Sequence, residues 1–596
     1  MKKNKYLLLV AASALAITGC NQDELEIPQK GVISFEDFYQ TDEDAESAVT
    51  IVYATTQKLF SSNPAGGTGY NYGPYFGTTN WMGDDIWFGG TGTDDCVDQR
   101  EFHQFIHNAD YGDVGSLYEA LYTSILKCNY VINNFTEERL GSLSKIQKKC
   151  VAEARTMRAF DYLLLGIYWG NPAIVETVLT AADQPGNAES QEAVMNWVIK
   201  EAELAAEDLE WRKSTDDYEG AVRITKGFAL AVKGKAQLWK EDYAGAKATF
   251  EEIMNQGCYA LVPSDKMITI GHADGKGSSE IIFEFNYDGT NLTGEYDRVQ
   301  RGGWNDHNTF CMFRGGLMNG GHWVDSCAYV GGWEWLNPSK YFIDVLLEND
   351  GMESARRKAW VKSYDEILYD CKWDGDGDNF TPGKTAAKEK DKNRGVAANQ
   401  YVYANIGWWQ YKLGAHPNQG DQLSDSHLNR NATIMRYAEV LLMYAEACAQ
   451  LGEKSGKGLE ALNAIQKRAQ SKTVSSELTL KAVQTEKLLE MWMEGCRFVD
   501  LVRWSKKDES VLANLVHQDD WLPTFVDLIN GPMGEYTSGS DVHKGVICEQ
   551  IKDMEATYYK DLYGADLGFK KGKHEFLPFP QRAVDLNPNL VQHDGW

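Results

Sequence analysis

The chain has 596 residues, 59 basic and 86 acidic, for a formal charge of −27, and it carries 18 Trp, 30 Tyr and 22 Phe. So acidic a protein, without long runs of Lys or Arg, is repelled by a phosphate backbone, which excludes nucleic acid as a ligand. A hydrophobic fraction of 43% and a charged fraction of 24% are globular values and exclude wholesale disorder.

Lys2, Lys3 and Lys5, an apolar run over 6–17 and small residues before Cys20 read as a secretory signal over 1–19, too short to remain as a membrane span. Ile17-Thr18-Gly19-Cys20 resembles a bacterial lipobox, so Cys20 is expected to be the acylated first residue of the mature chain. Several acyl chains on one cysteine anchor firmly, at about 0.8 kcal/mol per buried methylene. Residues 20–34, opening Asn21-Gln22-Asp23-Glu24-Leu25-Glu26, form an acidic tether. The other cysteines include no C-x-x-C pair, which argues against a zinc site. Cys128, Cys150, Cys258, Cys448 and Cys496 fall in helical patterns and are expected to be buried free thiols.

Helical periodicity marks 35–53, 116–135, 144–168 and 191–211. Segments 226–239 and 243–256 then form a helical hairpin, with Ala246 and Phe250 in the A-x-x-x-F spacing of a tetratricopeptide second helix. Segments 433–451 and 458–470 repeat the plan with Ala461 and Ile465. Because such hairpins bury their apolar faces only against one another, the long stretch between them reads as a body inserted on one face of a continuous array. In that stretch 280–285 (EIIFEF) is a strand, 288–336 is Gly-rich loop with short strands, 339–349 and 353–360 are short helices, and 374–399 is a polar excursion. A further helix is expected over 478–505, and Trp169, Trp197, Trp211, Trp239, Trp492 and Trp504 belong to helical cores. The fold class is mostly α, a tetratricopeptide-like scaffold with a loop-rich insertion containing short strands. Its regions are 35–275 with an aromatic loop at 66–92, the insertion at 276–432, and a closing helical segment at 433–596.

Neither a G-x-S-x-G elbow nor an H-E-x-x-H helix occurs. Residues 377–385 place five residues, one of them Pro382, between the glycines of an apparent phosphate loop, so a phosphate nest does not form. Asp374, Asp376 and Asp378 begin like a calcium loop, but Asn379 stands where Gly is required and Thr385 where a bidentate Glu belongs. A solvated acidic turn is the reading, with calcium as the alternative. No other cofactor is implied.

Aromatic residues outside the helices carry the functional signal. A sugar ring offers an apolar C–H face and hydroxyls at its edge, which suits a flat aromatic surface flanked by polar groups. Trp81 and Trp87 in the first loop, and Tyr296, Trp304, Trp323, Trp333 and Trp335 in the second, sit among Gly, Asn and Asp rather than on apolar faces. With Asn80, Asp84 and Asn305 as polar partners, they form the expected ligand site.

Four stretches together resemble the SusD-like (RagB/SusD) nutrient-uptake lipoproteins of Bacteroidota. They are Ala152-Glu153-Ala154-Arg155 through Tyr168-Trp169-Gly170-Asn171-Pro172, Arg436-Tyr437-Ala438-Glu439 through Ala447, Glu494-Gly495-Cys496-Arg497 through Trp504, and Phe576-Leu577-Pro578-Phe579-Pro580 leading to Asn587-Pro588-Asn589. Ala438, Ala445 and Ala447 allow close helix packing, and Glu494, Arg497, Asp500 and Arg503 are expected to form an ion-pair ladder on one helix face. The resemblance implies a SusD-like α/α superhelix of four tetratricopeptide units and a non-catalytic lipoprotein at the outer face of the outer membrane. It further implies oligosaccharide or polysaccharide as ligand and a SusC-like TonB-dependent transporter as partner. The alternatives are a glycoside hydrolase using paired carboxylates, or a peptide-capturing or purely scaffolding member of the same family.

Overall fold

The structure, a computed structural model, describes residues 38–60, 74–88, 97–180, 182–287, 336–363, 408–414, 416, 419–421, 423–424, 427–518 and 567–596. Cys20 and the tether lie outside the described residues, as do Tyr296, Trp304, Asn305, Trp323, Trp333, Trp335, Asp374, Asp376 and Asp378.

The principal helices are α1 (Asp42–Thr56), α2 (Pro74–Asn80), α3 (Gly112–Asn134), α4 (Lys145–Trp169), α5 (Gln191–Asp208), α6 (Lys226–Trp239) and α7 (Tyr243–Asn255). After the insertion's α8 (Lys340–Asn349) and α9 (Ala355–Trp360) come α10 (Tyr437–Gln450), α11 (Lys457–Ala469), α12 (Leu480–Glu490) and α13 (Arg497–Ser505). Local chemistry sets their starts. Ser144 opens α4 in a capping box with Gln147, and Ser339, Ser354 and Thr479 accept the first free N–H groups of α8, α9 and α12, each cap worth about 1 kcal/mol. Helix α4 is buried along nearly its whole length because α1, α3 and α5 all pack on it.

The array runs α4–α5–α6–α7, and α7 then packs directly on α10, which packs on α11 and α12. The two predicted hairpins are therefore neighbours in space despite the insertion between them. Ala246, Phe250, Ala461 and Ile465, the residues that marked the repeat, are all buried. Cys128, Cys150, Cys258, Cys448 and Cys496 are buried free thiols as expected. The closing segment returns to α4: Leu577 N–H donates to Tyr168 O at 2.7 Å and Trp169 Nε1–H to Pro578 O at 2.9 Å, so two of the signature stretches meet in the core.

Three expectations are corrected. Residues 433–436 do not begin a helix. They belong to a strand, Ala432–Arg436, which pairs antiparallel with Ile281–Phe285, the strand expected at 280–285; Thr433 and Ile434 are β-branched and suit it. The helix predicted over 478–505 is two, α12 and α13, interrupted where Met493 and Gly495 take positive φ of 63° and 74°. The ladder from Glu494 to Arg503 has a single internal rung, Asp500–Arg503 at 2.9 Å. Steps of three residues fall short of a 3.6-residue turn and rotate steadily around the axis, and Glu494 precedes the helix. Its members pair instead with other elements: Glu494 with Arg436 and Lys412, Arg497 with Asp84, Arg503 with Glu446.

Strands occur as two-stranded antiparallel ribbons. With β1 (Ile86–Phe88), β2 (Ile281–Phe285), β3 (Leu336–Pro338), β4 (Val361–Ser363), β5 (Trp408–Gln410) and β6 (Ala432–Arg436), the pairs are β1–β3, β2–β6 and β4–β5. The β2–β6 ribbon closes the base of the insertion. A buried charge cluster locks that closure: Arg436 pairs with Glu280, Glu490 and Glu494, Arg468 bridges Glu280 and Glu490, and Arg356 binds Asp350, Glu486 and Glu490. Burial pushes Glu490 up, but Arg468, Arg436 and Arg356 outweigh it and hold its carboxyl down at about 2. In such a cluster a partner cannot be removed cheaply, since an unpaired buried charge costs about 3–5 kcal/mol.

Candidate functional site

The first aromatic loop and the second are separated by some two hundred residues, yet the chain brings their ends together in one ribbon. Strand β1 pairs with β3 in the register Ile86↔Pro338, Trp87↔Asn337, Phe88↔Leu336. Paired Cα atoms in such a ladder stand about 4.5–5.5 Å apart. Trp87 thus lies opposite Asn337, and Trp333 and Trp335 precede Asn337 by four and two residues. Segments 89–96 and 288–335 adjoin the same end of the ribbon in sequence.

The foot of the ribbon is riveted to the scaffold. Ser339 N–H donates to Asp85 O at 3.1 Å and Ser339 Oγ–H to Asp84 O at 2.6 Å. Trp492 Nε1–H also donates to Asp85 O, at 3.1 Å, while its ring stacks on Phe342 of α8 at 4.4 Å. The Asp84 carboxylate receives Arg497 through two hydrogen bonds, Nε at 2.6 Å and Nη2 at 2.9 Å, and Asn514 Nδ2 at 2.9 Å. Bidentate charge-assisted pairs of this kind fix orientation as well as adding energy. Asn80 Oδ1 accepts Gly495 N–H at 2.9 Å, tying α2 to the turn before α13.

These contacts correct part of the expected ligand set. Trp81 is fully buried. Its ring meets Phe102 edge-on at 6.3 Å and lies against Gly77, where a Cβ would stand 2.7 Å from it. Trp81 is a core residue with no face open to a sugar. Asn80 and Asp84, at 8% and 1% exposure, are struts whose polar atoms are spent on Gly495, Phe76, Arg497 and Asn514. They hold the ribbon rather than a ligand. Trp87 is placed on the ribbon itself. Sequence reasoning missed Ser339, Trp492, Arg497 and Asn514 as parts of the site's support. The one local signal was Pro338-Ser339, a strand end running into a helix cap.

Of the Trp assigned to helical cores, Trp169, Trp239 and Trp504 are buried on helices and Trp197 is partly so, whereas Trp492 is buried in the turn between α12 and α13 and Trp211, partly buried, lies beyond the end of α5. Trp360 and Trp408 join them.

Beside β6 a cavity of about 80 Å³ is bounded by Tyr75, Asn80, Lys412, Arg436, Met493 and Glu494, among others. Its charges are internally matched. Lys412 Nζ pairs with Glu494, donates to Trp492 O at 2.7 Å and stands 3.4 Å over the Trp360 ring. Burial, with Arg436 alongside, moves Lys412 down to about 8 against the pull of Glu494.

Paired carboxylates for hydrolysis need one raised acid and one ionised partner facing an open cleft. Burial raises Asp85 and Glu284 to about 7 and Asp113 to about 6. All three are enclosed, at 3% exposure or less. Glu284 binds Asn431 and Gly277 N–H, both at 2.7 Å, and Asp113 accepts the Tyr111 hydroxyl at 3.0 Å. The shifts of Glu284 and Asp113 mark buried struts, and that of Asp85 marks an enclosed carboxyl. Among the described residues no cluster of three or more His, Cys, Asp or Glu could hold a metal, and no helix is long and apolar enough to cross a membrane.

Scaffold and ribbon together define a class: a helical-repeat superhelix that presents the ends of two aromatic loops on one rigid foot. The sequence profile described as the SusD family matches residues 279–596, more than half of the chain, and the chain belongs to that family, as its signature stretches implied. A SusD-like protein of Bacteroides ovatus is 25% identical over 609 residues, covering 98% of this chain and 96% of the relative. Among solved structures, a laminarin binding SusD-like protein superposes with a TM-score of 0.67 at 19% identity, over 94% of this chain and all of that one. Surface glycan-binding protein A from Bacteroides thetaiotaomicron, in complex with laminarihexaose, does so with 0.65 at 20% identity, over 93% of this chain and all of that one. These likenesses establish the fold.

Proposed function

We propose that this chain is a non-catalytic glycan-binding lipoprotein whose ligand site is built on the β1–β3 ribbon. The observation that carries the reading is the pairing of Trp87 with Asn337, which joins the two segments richest in loop tryptophans at one point. Trp87, Tyr296, Trp304, Asn305, Trp323, Trp333 and Trp335 supply the aromatic faces and polar edge contacts that a sugar chain needs. A laminarin binding protein and a laminarihexaose complex with this fold support the ligand class. Acylated Cys20 anchors the protein to the outer membrane, facing the cell exterior, and a SusC-like TonB-dependent transporter receives the captured oligosaccharide.

Affinity electrophoresis against a polysaccharide panel that includes laminarin tests the site. Wild type is retarded by at least one member, and Trp87→Ala loses that retardation. Retention of wild-type mobility on the whole panel, or equal retardation of Trp87→Ala, overturns the assignment. Incubation with the bound glycan releases no reducing ends; steady release would favour the hydrolase reading instead.

A further inference from the structure

A second cavity, of about 170 Å³, opens beside the foot of the ribbon between α12, α13 and the short helical turn at 509–516. An apolar cavity of roughly 150 Å³ is enough to admit a benzene ring, so the space takes one six-membered ring with its substituents turned toward the open side. Residues 481, 484, 485 and 488 line one wall, the i, i+3, i+4, i+7 positions of a single face of α12. The facing wall comes from residues 497, 501 and 504 on α13, again one helix face.

The cavity's floor and its rim differ in character. Leu488, Leu501 and Trp504 are buried and form an apolar floor, and the Trp504 Nε1–H is spent on Glu446 at 2.8 Å. Gln484 and Thr485 are half-buried, and their side chains make no hydrogen bond to any described residue. At the cavity's edge Asp84 is held by Arg497, and Lys481 stands exposed at the rim, away from the floor. An apolar floor opposite unspent neutral donors and acceptors is the pattern of a small-ligand pocket; water alone satisfies the polar wall and leaves the floor wet. A neutral polyol ring matches both walls.

We propose that this cavity is a second ligand site, distinct from the ribbon loops, that takes a single neutral monosaccharide ring. The C–H face of the sugar lies on Leu488, Leu501 and Trp504, and its hydroxyls bond Gln484 and Thr485. Trp87 takes no part, and Asp84, the one lining residue from the first aromatic loop, is held by Arg497, so the site binds whether or not the ribbon does.

The test is methyl NMR on the full chain, labelled at Leu methyls and titrated with D-glucose. Leu488 and Leu501 resonances shift saturably in wild type and equally in Trp87→Ala. In the Gln484→Leu/Thr485→Val double variant, binding at these methyls weakens by about tenfold or more, as expected for the loss of two hydrogen bonds. The near-isosteric Thr485→Val alone carries the test if the double variant does not fold. Absent or non-saturating shifts overturn the site, as do shifts unchanged in the variants. Loss of the shifts in Trp87→Ala also overturns it, because they would then be transmitted from the ribbon.

Discussion

Asp85→Asn isolates one carboxyl at the foot of the ribbon. Asp85 is 3% exposed, and its Oδ1 has no hydrogen-bond partner among the described residues. Burial, assisted by the charge of Asp84 and opposed by Arg497, raises it from 3.8 to about 7. The folded chain therefore holds this proton more tightly than the unfolded chain. Below the unfolded value both states are protonated and the carboxyl costs nothing. As pH rises toward 7 the unfolded chain ionises freely while the folded one resists, and stability declines until the full cost, about 4 kcal/mol, is reached above 7. Asparagine mimics the neutral acid and never incurs that cost, and the backbone oxygen that receives Ser339 N–H and Trp492 Nε1–H is untouched. Hydrogen exchange at the Ser339 amide reads the local opening. At pH about 8 the variant slows exchange by up to about a thousandfold, and at pH about 4 it matches wild type. A ratio equal at both pH values, or faster exchange in the variant at high pH, refutes the assignment of a buried, proton-retaining carboxyl.

Arg497→Ala leaves the buried Asp84 with Asn514 as its remaining side-chain partner and costs about 3–5 kcal/mol at neutral pH. Exchange at Ser339 accelerates, and helices α6 and α7 keep wild-type protection; loss of protection across the whole array would show that the strut is not local. Gly458→Ala places a Cβ 2.6 Å from the Cys448 Cβ and 2.8 Å from Leu478 Cδ2, so overpacking lowers stability by about 1–3 kcal/mol. A raised melting temperature, as helix propensity alone would give, would contradict close packing of α10 against α11.

The scaffold was readable because its signal is local and periodic. Helix α6 was placed at its exact residues, and the hairpin partners at Ala246, Phe250, Ala461 and Ile465 by spacing alone. Errors arose where a long-range contact decides. Trp81 sits among Asn and Asp in sequence, but Phe102 and Gly77 enclose it. Asp84 looks like a free loop carboxylate until Arg497, 413 residues away, is seen to hold it. Strands β1 and β3 are three residues each, too short to show a period of two, so the ribbon that joins the ends of the two loops was invisible. The break between α12 and α13 falls at Met493-Glu494-Gly495, where a lone Gly inside a helical pattern is an ambiguous signal, and the positive φ of Met493 and Gly495 reveals it.

The same short-ribbon logic explains how the insertion carries long segments without disturbing the array. Strands β4 and β5 pair with Ser363 directly opposite Trp408, so segment 364–407, 44 residues long, leaves and returns at adjacent points. A two-residue Asn-Gly turn closes such a register. Replacing 364–407 by Asn-Gly shortens the closed loop about twentyfold, worth about 3 kcal/mol of loop entropy. The shortened chain is expected to melt higher, with the helical circular dichroism per helical residue unchanged. The segment includes Asp374, Asp376 and Asp378; on the sequence reading of an acidic turn rather than a calcium loop, the metal is expected to shift the melting temperature of neither chain. A calcium-dependent rise in the full chain alone would instead establish a metal loop. A lower melting temperature in the shortened chain would show that the segment packs on the scaffold, and that the foot at β4–β5 does not by itself close the insertion.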